Sequence, residues 1–307
     1  MRFLRNSTDS SLIKTRRTKL GVTYREFLDK ADTELKNAGI TDHLSCARIM
    51  ICEASGLGMA AVILHEHEEV PEAYAERFEG FLSRRIKREP LEYIIGHTSF
   101  MGLDILCSKE CLIPRFDTEI LAELAIGQAE RVKERCAGEG REPRILDMCT
   151  GTGCIGISVA SLSGIGTVTL SDISADAIAL AGKNAENCGV KAYPVLSDLF
   201  DSIEGKFDII TANPPYIATK EIETLEPEVS AFEPRIALDG GEDGLSFYRR
   251  MITCAPQHLA KGAFLALETG EDQTKEVADM MKASEIKDIT IHKDLAGLPR
   301  VVCGFFE

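Results

Sequence analysis

From residue 145 onward, short apolar runs alternate with longer amphipathic stretches, and few folds accommodate that alternation. The runs at 145–148, 168–171, 192–196, 208–212 and 263–268 read as strands, with helices at 155–162, 175–187, 245–259 and 273–283. A strand followed by a helix of such length returns parallel to itself, so the pattern predicts a parallel sheet covered by helices on both faces. Two last strands, 288–292 and 301–305, are separated only by a turn at 295–300. A parallel crossover needs about a dozen residues, so this pair must be antiparallel. The fold class expected is α/β, with a seven-stranded sheet.

The chain ahead of the sheet reads differently. Thr23 and Glu26 form a capping box, and Phe27, Leu28, Ala31, Leu35 and Ala38 recur at helical spacing until Gly39 stops the run. Further stripes at Leu44, Ala47, Met50 and Ile51, and at Tyr74, Phe78, Phe81 and Leu82, complete a small helical bundle over 21–88. Residues 1–20 carry six basic side chains against Asp9 and read as a basic tail, a composition shared with organellar transit peptides. Between 89 and 112 the helical period fades into runs such as 93–95 and 103–106 punctuated by Gly96 and Gly102, which predicts a β-hairpin linker. The sheet domain then occupies 113–307, entered by a helix through Leu121, Leu124 and Ala125 and a loop at 136–143.

Bulk properties exclude some functions. A formal net charge of −14 opposes a phosphate backbone, so duplex DNA is not the expected partner. The ten cysteines contain no Cys-x-x-Cys pair, and His65 and His67 lie too close in sequence to share a helix face, so no metal site is expected. The longest uncharged early stretch, 54–64, is shorter than the roughly 20 residues a membrane helix needs, which predicts a soluble, cytoplasmic protein, or an organellar-matrix one if the tail is a transit peptide. A monomer is expected.

The first strand of the sheet ends in Asp147-Met148-Cys149-Thr150-Gly151-Thr152-Gly153-Cys154-Ile155-Gly156 and runs into a helix. Small residues at such a turn let a ligand approach the backbone, and Asp172, closing the second strand, is placed to accept from ribose hydroxyls. Gly151, Gly153 and Gly156 also satisfy the dinucleotide pattern. Asp147 before the loop and Asp198 after the third strand, however, suit a ligand bearing an ammonium and a sulfonium better than a pyrophosphate, which favours S-adenosylmethionine over NAD.

Asn213-Pro214-Pro215-Tyr216 follows the fourth strand, where sheet ligands meet their substrates. Two prolines fix the backbone and remove two donors, leaving the Asn213 side-chain oxygen and the Pro214 carbonyl to receive an NH2 group, with Tyr216 as a flat wall. An amide nitrogen is a poor nucleophile, and two acceptors aimed at its hydrogens hold it in line and favour the electron density that attack requires.

These residues resemble the HemK or PrmC family of glutamine methyltransferases acting on class 1 peptide-chain release factors. The resemblance covers nearly all of 85–307 and includes Pro90 to Gly96, Leu112 to Glu119, Asp147 to Gly156, Ser197 to Phe200, Asn213 to Tyr216, Glu233 to Leu238 with Gly240-Gly241, and Asp243-Gly244-Leu245. It implies a Rossmann-like methyltransferase domain and a helical domain that docks the release factor. It also implies methylation of the glutamine in a Gly-Gly-Gln loop, with S-adenosylhomocysteine as the cofactor product. The cofactor would touch Cys149, Thr150, Gly151, Thr152, Gly153, Asp172, Leu199 and Asn213, and Asn213, Pro214, Pro215 and Tyr216 would hold the glutamine. Two positions depart from the pattern: Cys149 stands where the family usually has glycine, and Phe116 where it usually has proline.

The same tetrapeptide occurs in adenine-specific DNA methyltransferases, which grip an exocyclic amine and must flip the base. A binding protein that keeps the pocket without turnover is a rival of another class. The long polar connection at 217–242 reads as either a partner-binding lid or a solvated loop. The basic cluster Arg84, Arg85, Lys87 and Arg88 reads chiefly as the complement of a helix C-terminus.

Overall fold

The computed structural model describes residues 21–307; the basic segment 1–20 lies outside them. Two compact units divide at Ile86/Lys87. The first holds α1 (Tyr24–Asn37), α2 (His43–Ser55), α3 (Met59–Leu64) and α4 (Glu72–Arg85). The capping box of α1 forms as expected: the Thr23 hydroxyl accepts from the Glu26 amide at 3.3 Å and the Glu26 carboxylate from the Thr23 amide at 2.8 Å. Phe27, Ala31 and Leu35 are buried, and Phe27 meets Phe78 edge-on with centroids 5.1 Å apart. Leu44, read as part of an inward stripe, is instead exposed on the first turn of α2.

The second unit opens with α5 (Leu91–Ile95), then the hairpin strands β1 (His97–Phe100) and β2 (Leu103–Leu106). The hairpin is therefore real, but its first strand is not the 93–95 run, which forms the short α5 between Pro90 and the left-handed Gly96. A 3-10 turn at Phe116–Thr118 leads into α6 (Glu119–Gly127) and α7 (Ala129–Gly138). Cys136, assigned to a loop from sequence, is buried in the last turn of α7.

The rest alternates as predicted: β3 (Ile145–Met148), α8 (Cys154–Leu162), β4 (Thr167–Asp172), α9 (Ala175–Asn187), β5 (Lys191–Leu196) and β6 (Phe207–Ala212). A short helix, α10 (Pro227–Ser230), interrupts the following connection, and α11 (Ser246–His258), β7 (Leu259–Glu268), α12 (Thr274–Ala283), β8 (Ile286–Lys293) and β9 (Pro299–Phe306) close the chain. The strands form one seven-membered sheet ordered β5-β4-β3-β6-β7-β9-β8, with β9 alone running against the other six.

Neighbouring residues on each strand face opposite sides of the sheet. Ile145, Ile209, Phe264 and Val301 enter one core layer beneath α6 and α8, and Leu146, Ile210, Leu265 and Val302 the other beneath α11 and α12. All residues of β3 and β6 are buried, as a doubly covered parallel strand requires. The margins differ. β5 contains Pro194, and β8 exposes Lys287 and Asp288, with a register shift where Asp288 takes φ +49°.

At the N-terminal end of β6, Asp208 is fully buried and neutralised by arginines. It accepts from Arg141 at 2.6 and 2.7 Å, from the Arg144 amide at 3.0 Å, and from Arg135. Burial alone would raise this carboxyl, but the Arg141 and Arg144 hydrogen bonds prevail and hold it below the usual aspartate range.

Candidate functional site

The chain leaves β3 for β4 and β5 on one side and returns to β6 on the other, so the C-terminal ends of β3 and β6 form the crevice where strand order reverses. The glycine loop follows β3 and Asn213 follows β6. Register pairs Met148 with Ala212, so both segments emerge at one level.

An open cleft of about 980 Å³, solvent space at its mouth included, lies there. Cys149, Thr150, Gly151, Thr152, Asp172, Asp198, Leu199, Asn213 and Pro215 line it, with Arg115, Ile236 and Phe247. Gly153 caps α8 at φ +85° directly behind.

Asp172 does two jobs at the tip of β4. Its Oδ2 accepts from the Gly151 amide and its Oδ1 from the Ser174 amide, both at 2.9 Å, which fixes the loop. Burial raises its pKa, opposed by those amides, and part of its surface stays open to the cleft. Cys149 and Leu199 are both left-handed, at φ +55° and +51°, and Cys149 has its thiol pushed well up by burial. The glycine usual at position 149 thus matches the backbone, and cysteine adopts the same conformation against a steric cost.

Asp147 is not where the sequence suggested. It is fully buried behind the loop, where Oδ2 accepts from the Thr150 hydroxyl at 2.5 Å and the Gly156 amide at 3.1 Å, and Oδ1 from the Thr211 hydroxyl at 2.8 Å. Burial lifts it to about 6 against those donors. It braces the loop and does not line the cleft. Asp198 does line it, but its carboxylate is shared with Arg250 at 2.9 Å.

The tetrapeptide divides its work. Asn213 and Pro215 face the cleft, whereas Pro214 is buried and Tyr216 is absent from the lining. The Tyr216 hydroxyl points to Glu268 Oε1 at 3.5 Å, and its carbonyl accepts from Gln273 at 2.8 Å. Tyr216 is therefore tied to the ends of β7 and α12 rather than set as a cleft wall. The Asn213 amide nitrogen donates to the Thr118 hydroxyl at 3.4 Å.

Two supports went unread in the sequence. Asn184, fully buried on α9, donates to the Thr152 carbonyl at 2.8 Å and exchanges hydrogen bonds with the Leu106 backbone at 2.9 and 3.1 Å, locking the hairpin to the glycine loop. A polar residue on an otherwise apolar helix face was the available signal. Glu268 is buried beside Asn213 at the end of β7.

The 217–242 connection is ordered and returns to the tetrapeptide. Ile217 donates to the Leu238 carbonyl at 3.0 Å, and Gly240 to the Ile217 carbonyl at 2.8 Å. A Cβ on Gly240 would lie 2.8 Å from the Pro215 oxygen and the Tyr216 Cα, so only glycine allows this approach. Glu233, buried under the loop, accepts from Arg115 at 2.6 Å, and Arg88 donates to Glu226 and Glu228 at 2.9 and 2.6 Å. Phe116, beside Arg115, is 73% exposed and starts a 3-10 turn after an extended Arg115, a setting that proline also fits.

Comparison with known proteins accords with this geometry. Residues 130–228 match a family described as methyltransferase small domain, and residues 26–96 a family described as PrmC N-terminal domain. The release factor glutamine methyltransferase of Agrobacterium fabrum is 38% identical over 278 residues, spanning 89% of this chain and 93% of that protein. The enzyme of the same name from Geobacter sulfurreducens is 35% identical over 92% of this chain and 96% of its own length. Among solved structures, the hMettl16 catalytic domain in complex with MAT2A 3'UTR hairpin 1 superposes with a TM-score of 0.52 at 14% identity, covering 76% of this chain and 80% of that one, a likeness of fold.

Proposed function

This chain belongs to the release factor glutamine methyltransferase family, and from that premise we propose that it transfers a methyl group from S-adenosylmethionine to the side-chain amide nitrogen of the glutamine in the Gly-Gly-Gln loop of a class 1 release factor. The observation that carries the reading is the emergence of Asn213 and the glycine loop side by side at the reversal of strand order.

The cleft suits this cofactor on its own chemistry. Its walls are largely apolar, Asp172 offers carboxylate surface for ribose hydroxyls, and Asp198 brings a carboxylate already paired with Arg250. The one cation lining it among the described residues, Arg115, is already paired with Glu233, so nothing at the glycine loop is set to neutralise a pyrophosphate. Cys149 to Gly153, Asp172 and Leu199 would hold the cofactor, which supplies an electrophilic methyl group on a sulfonium.

The substrate side falls to the tetrapeptide. With its nitrogen turned to Thr118, Asn213 has its carbonyl oxygen left for a hydrogen of the glutamine NH2. Because neither proline carries an N–H, no donor competes for the incoming nitrogen. The glutamine nitrogen becomes strongly acidic once methylated and loses its proton without a strong base. Tyr216 supports this by anchoring the tetrapeptide to Glu268 and Gln273. The helical unit is the proposed docking element for the release factor, the enzyme acts as a monomer in the cytoplasm, and no duplex DNA is engaged. No helix among the described residues is long and apolar enough to cross a membrane.

Asn213→Ala is expected to lower methyl transfer at least about 100-fold, the scale of removing an oriented polar group from an active site, while S-adenosylhomocysteine affinity stays within about threefold. Mass spectrometry of the Gly-Gly-Gln peptide and calorimetric titration measure the two. Near-normal labelling by this variant would refute the role, and labelling of adenine in DNA instead of the peptide would refute the substrate.

A further inference from the structure

Glu268 closes β7 one step beyond Leu267, which pairs with Ala212, so Glu268 and Asn213 leave adjacent parallel strands together. The carboxyl is 2% exposed, does not line the cleft, and enters the mechanism above only as a tether for Tyr216. Oε1 has the distant Tyr216 hydroxyl at 3.5 Å, and no donor closes on Oε2. A buried carboxylate oxygen left so is destabilising. Such costs persist where a site requires the group.

We propose that Glu268 is a positioning residue that acts through Asn213: with Thr118 it holds the nitrogen end of the Asn213 amide, so that the carbonyl oxygen is the end presented to the substrate. This rests on the reading of Asn213 as the group that grips the glutamine. Thr118, whose hydroxyl accepts from the Asn213 amide nitrogen at 3.4 Å, and Asn213 itself are the polar side chains that favour the charged form of the carboxylate.

The two ends of an asparagine amide are nearly equal in shape and opposite in hydrogen-bonding sense. Turned over, Asn213 would present an NH2 to an NH2. An ionised carboxylate only accepts, and so favours the productive orientation; a protonated one can donate to the asparagine oxygen and draw it away from the cleft. The groups facing Glu268 are Arg300 on β9, Asp117 and Thr118 on the 3-10 turn, Asn213 and Tyr216 after β6, Tyr248 on α11 and Cys154 on α8. Burial raises Glu268 to about 7, with the Thr118 and Asn213 donors and the Arg300 charge opposing and Asp117 adding. The orientation is thus biased most firmly above neutral pH.

The test uses the full chain, labelled S-adenosylmethionine and a class 1 release factor, followed from about pH 5.5 to about 9. Wild-type kcat is expected to rise through about pH 7. Glu268→Gln should lower kcat about 10- to 100-fold, flatten that rise, and leave KM for the release factor and affinity for S-adenosylhomocysteine within about threefold. Glu268→Asp should restore part of the rate together with the pH dependence. Wild-type kcat and profile in Glu268→Gln would overturn the positioning role alone. So would a loss matched by lost S-adenosylhomocysteine binding and a collapsed thermal transition, since that describes a structural residue. A wild-type enzyme that labels no release-factor glutamine at any pH would overturn the substrate reading, and the positioning role with it.

Discussion

At the scale of single residues, Cys149 shows how a backbone angle outlives the residue type that suits it. A left-handed non-glycine residue costs roughly 1–2 kcal/mol, and Cys149 recovers some of this by packing its thiol beneath the loop. Cys149→Gly is therefore expected to change stability by less than about 1 kcal/mol, because glycine relieves strain but loses contacts and adds chain entropy. Cys149→Val, β-branched, should cost about 2 kcal/mol or more and weaken S-adenosylhomocysteine binding; urea melts and calorimetry would show both. Sequence located Asn213, Asp172 and the glycine loop because each sits at a strand end, where position alone fixes the side of the sheet. It misplaced Asp147, since spacing puts an acid before the loop without saying that Thr150, Thr211 and the Gly156 amide absorb both its oxygens. Glu268 escaped notice for a related reason: its importance lies in proximity to Asn213 across two strands, which no local pattern records.

At the scale of elements, the strands were readable because doubly covered strands carry unbroken apolar runs. The errors fall where local signals conflict. Leu91–Ile95 is helical although Tyr93, Ile94 and Ile95 favour strand, and the flanking Pro90 and Gly96 were the better guides. β7 starts at Leu259, four residues before the expected 263, because Lys261-Gly262 interrupts the apolar run near a register shift against β6. The joint between α8 and β3 is tighter still. A Cβ on Gly156 would lie 2.6 Å from Asp147 Cβ and 2.8 Å from Leu170 Cδ2. Gly156→Ala should destabilise by about 1–3 kcal/mol and, by displacing Asp147, weaken cofactor affinity as well. Denaturant unfolding with S-adenosylhomocysteine titration would check this, and an unchanged affinity would argue against Asp147 as the loop's brace.

At the scale of the whole molecule, buried acids set the response to pH. Asp147 near 6 and Glu268 near 7 both lie above their ordinary values of 3.8 and 4.5, so between those limits the folded chain holds protons that the unfolded chain has released. Stability from these two groups is full below their unfolded values and falls as pH rises through their folded ones, by up to about 3 kcal/mol each. Asp208, depressed below 3.8, works the other way: its contribution is present above the ordinary aspartate range and lost as pH falls through its folded value. Melting temperature should therefore climb from about pH 7 toward about 4 and then drop in stronger acid, with Glu268→Gln shallowing the first slope; scanning calorimetry across that range would decide it. The two outermost strands bear on a separate collective property. A proline on one margin offers no N–H to an approaching neighbour, and the charges and kink on the other offer an uneven ladder. Two molecules brought rim to rim cannot zip into a continuous ribbon, so crowding this enzyme leaves its sheets as separate bodies and not as the start of a fibre.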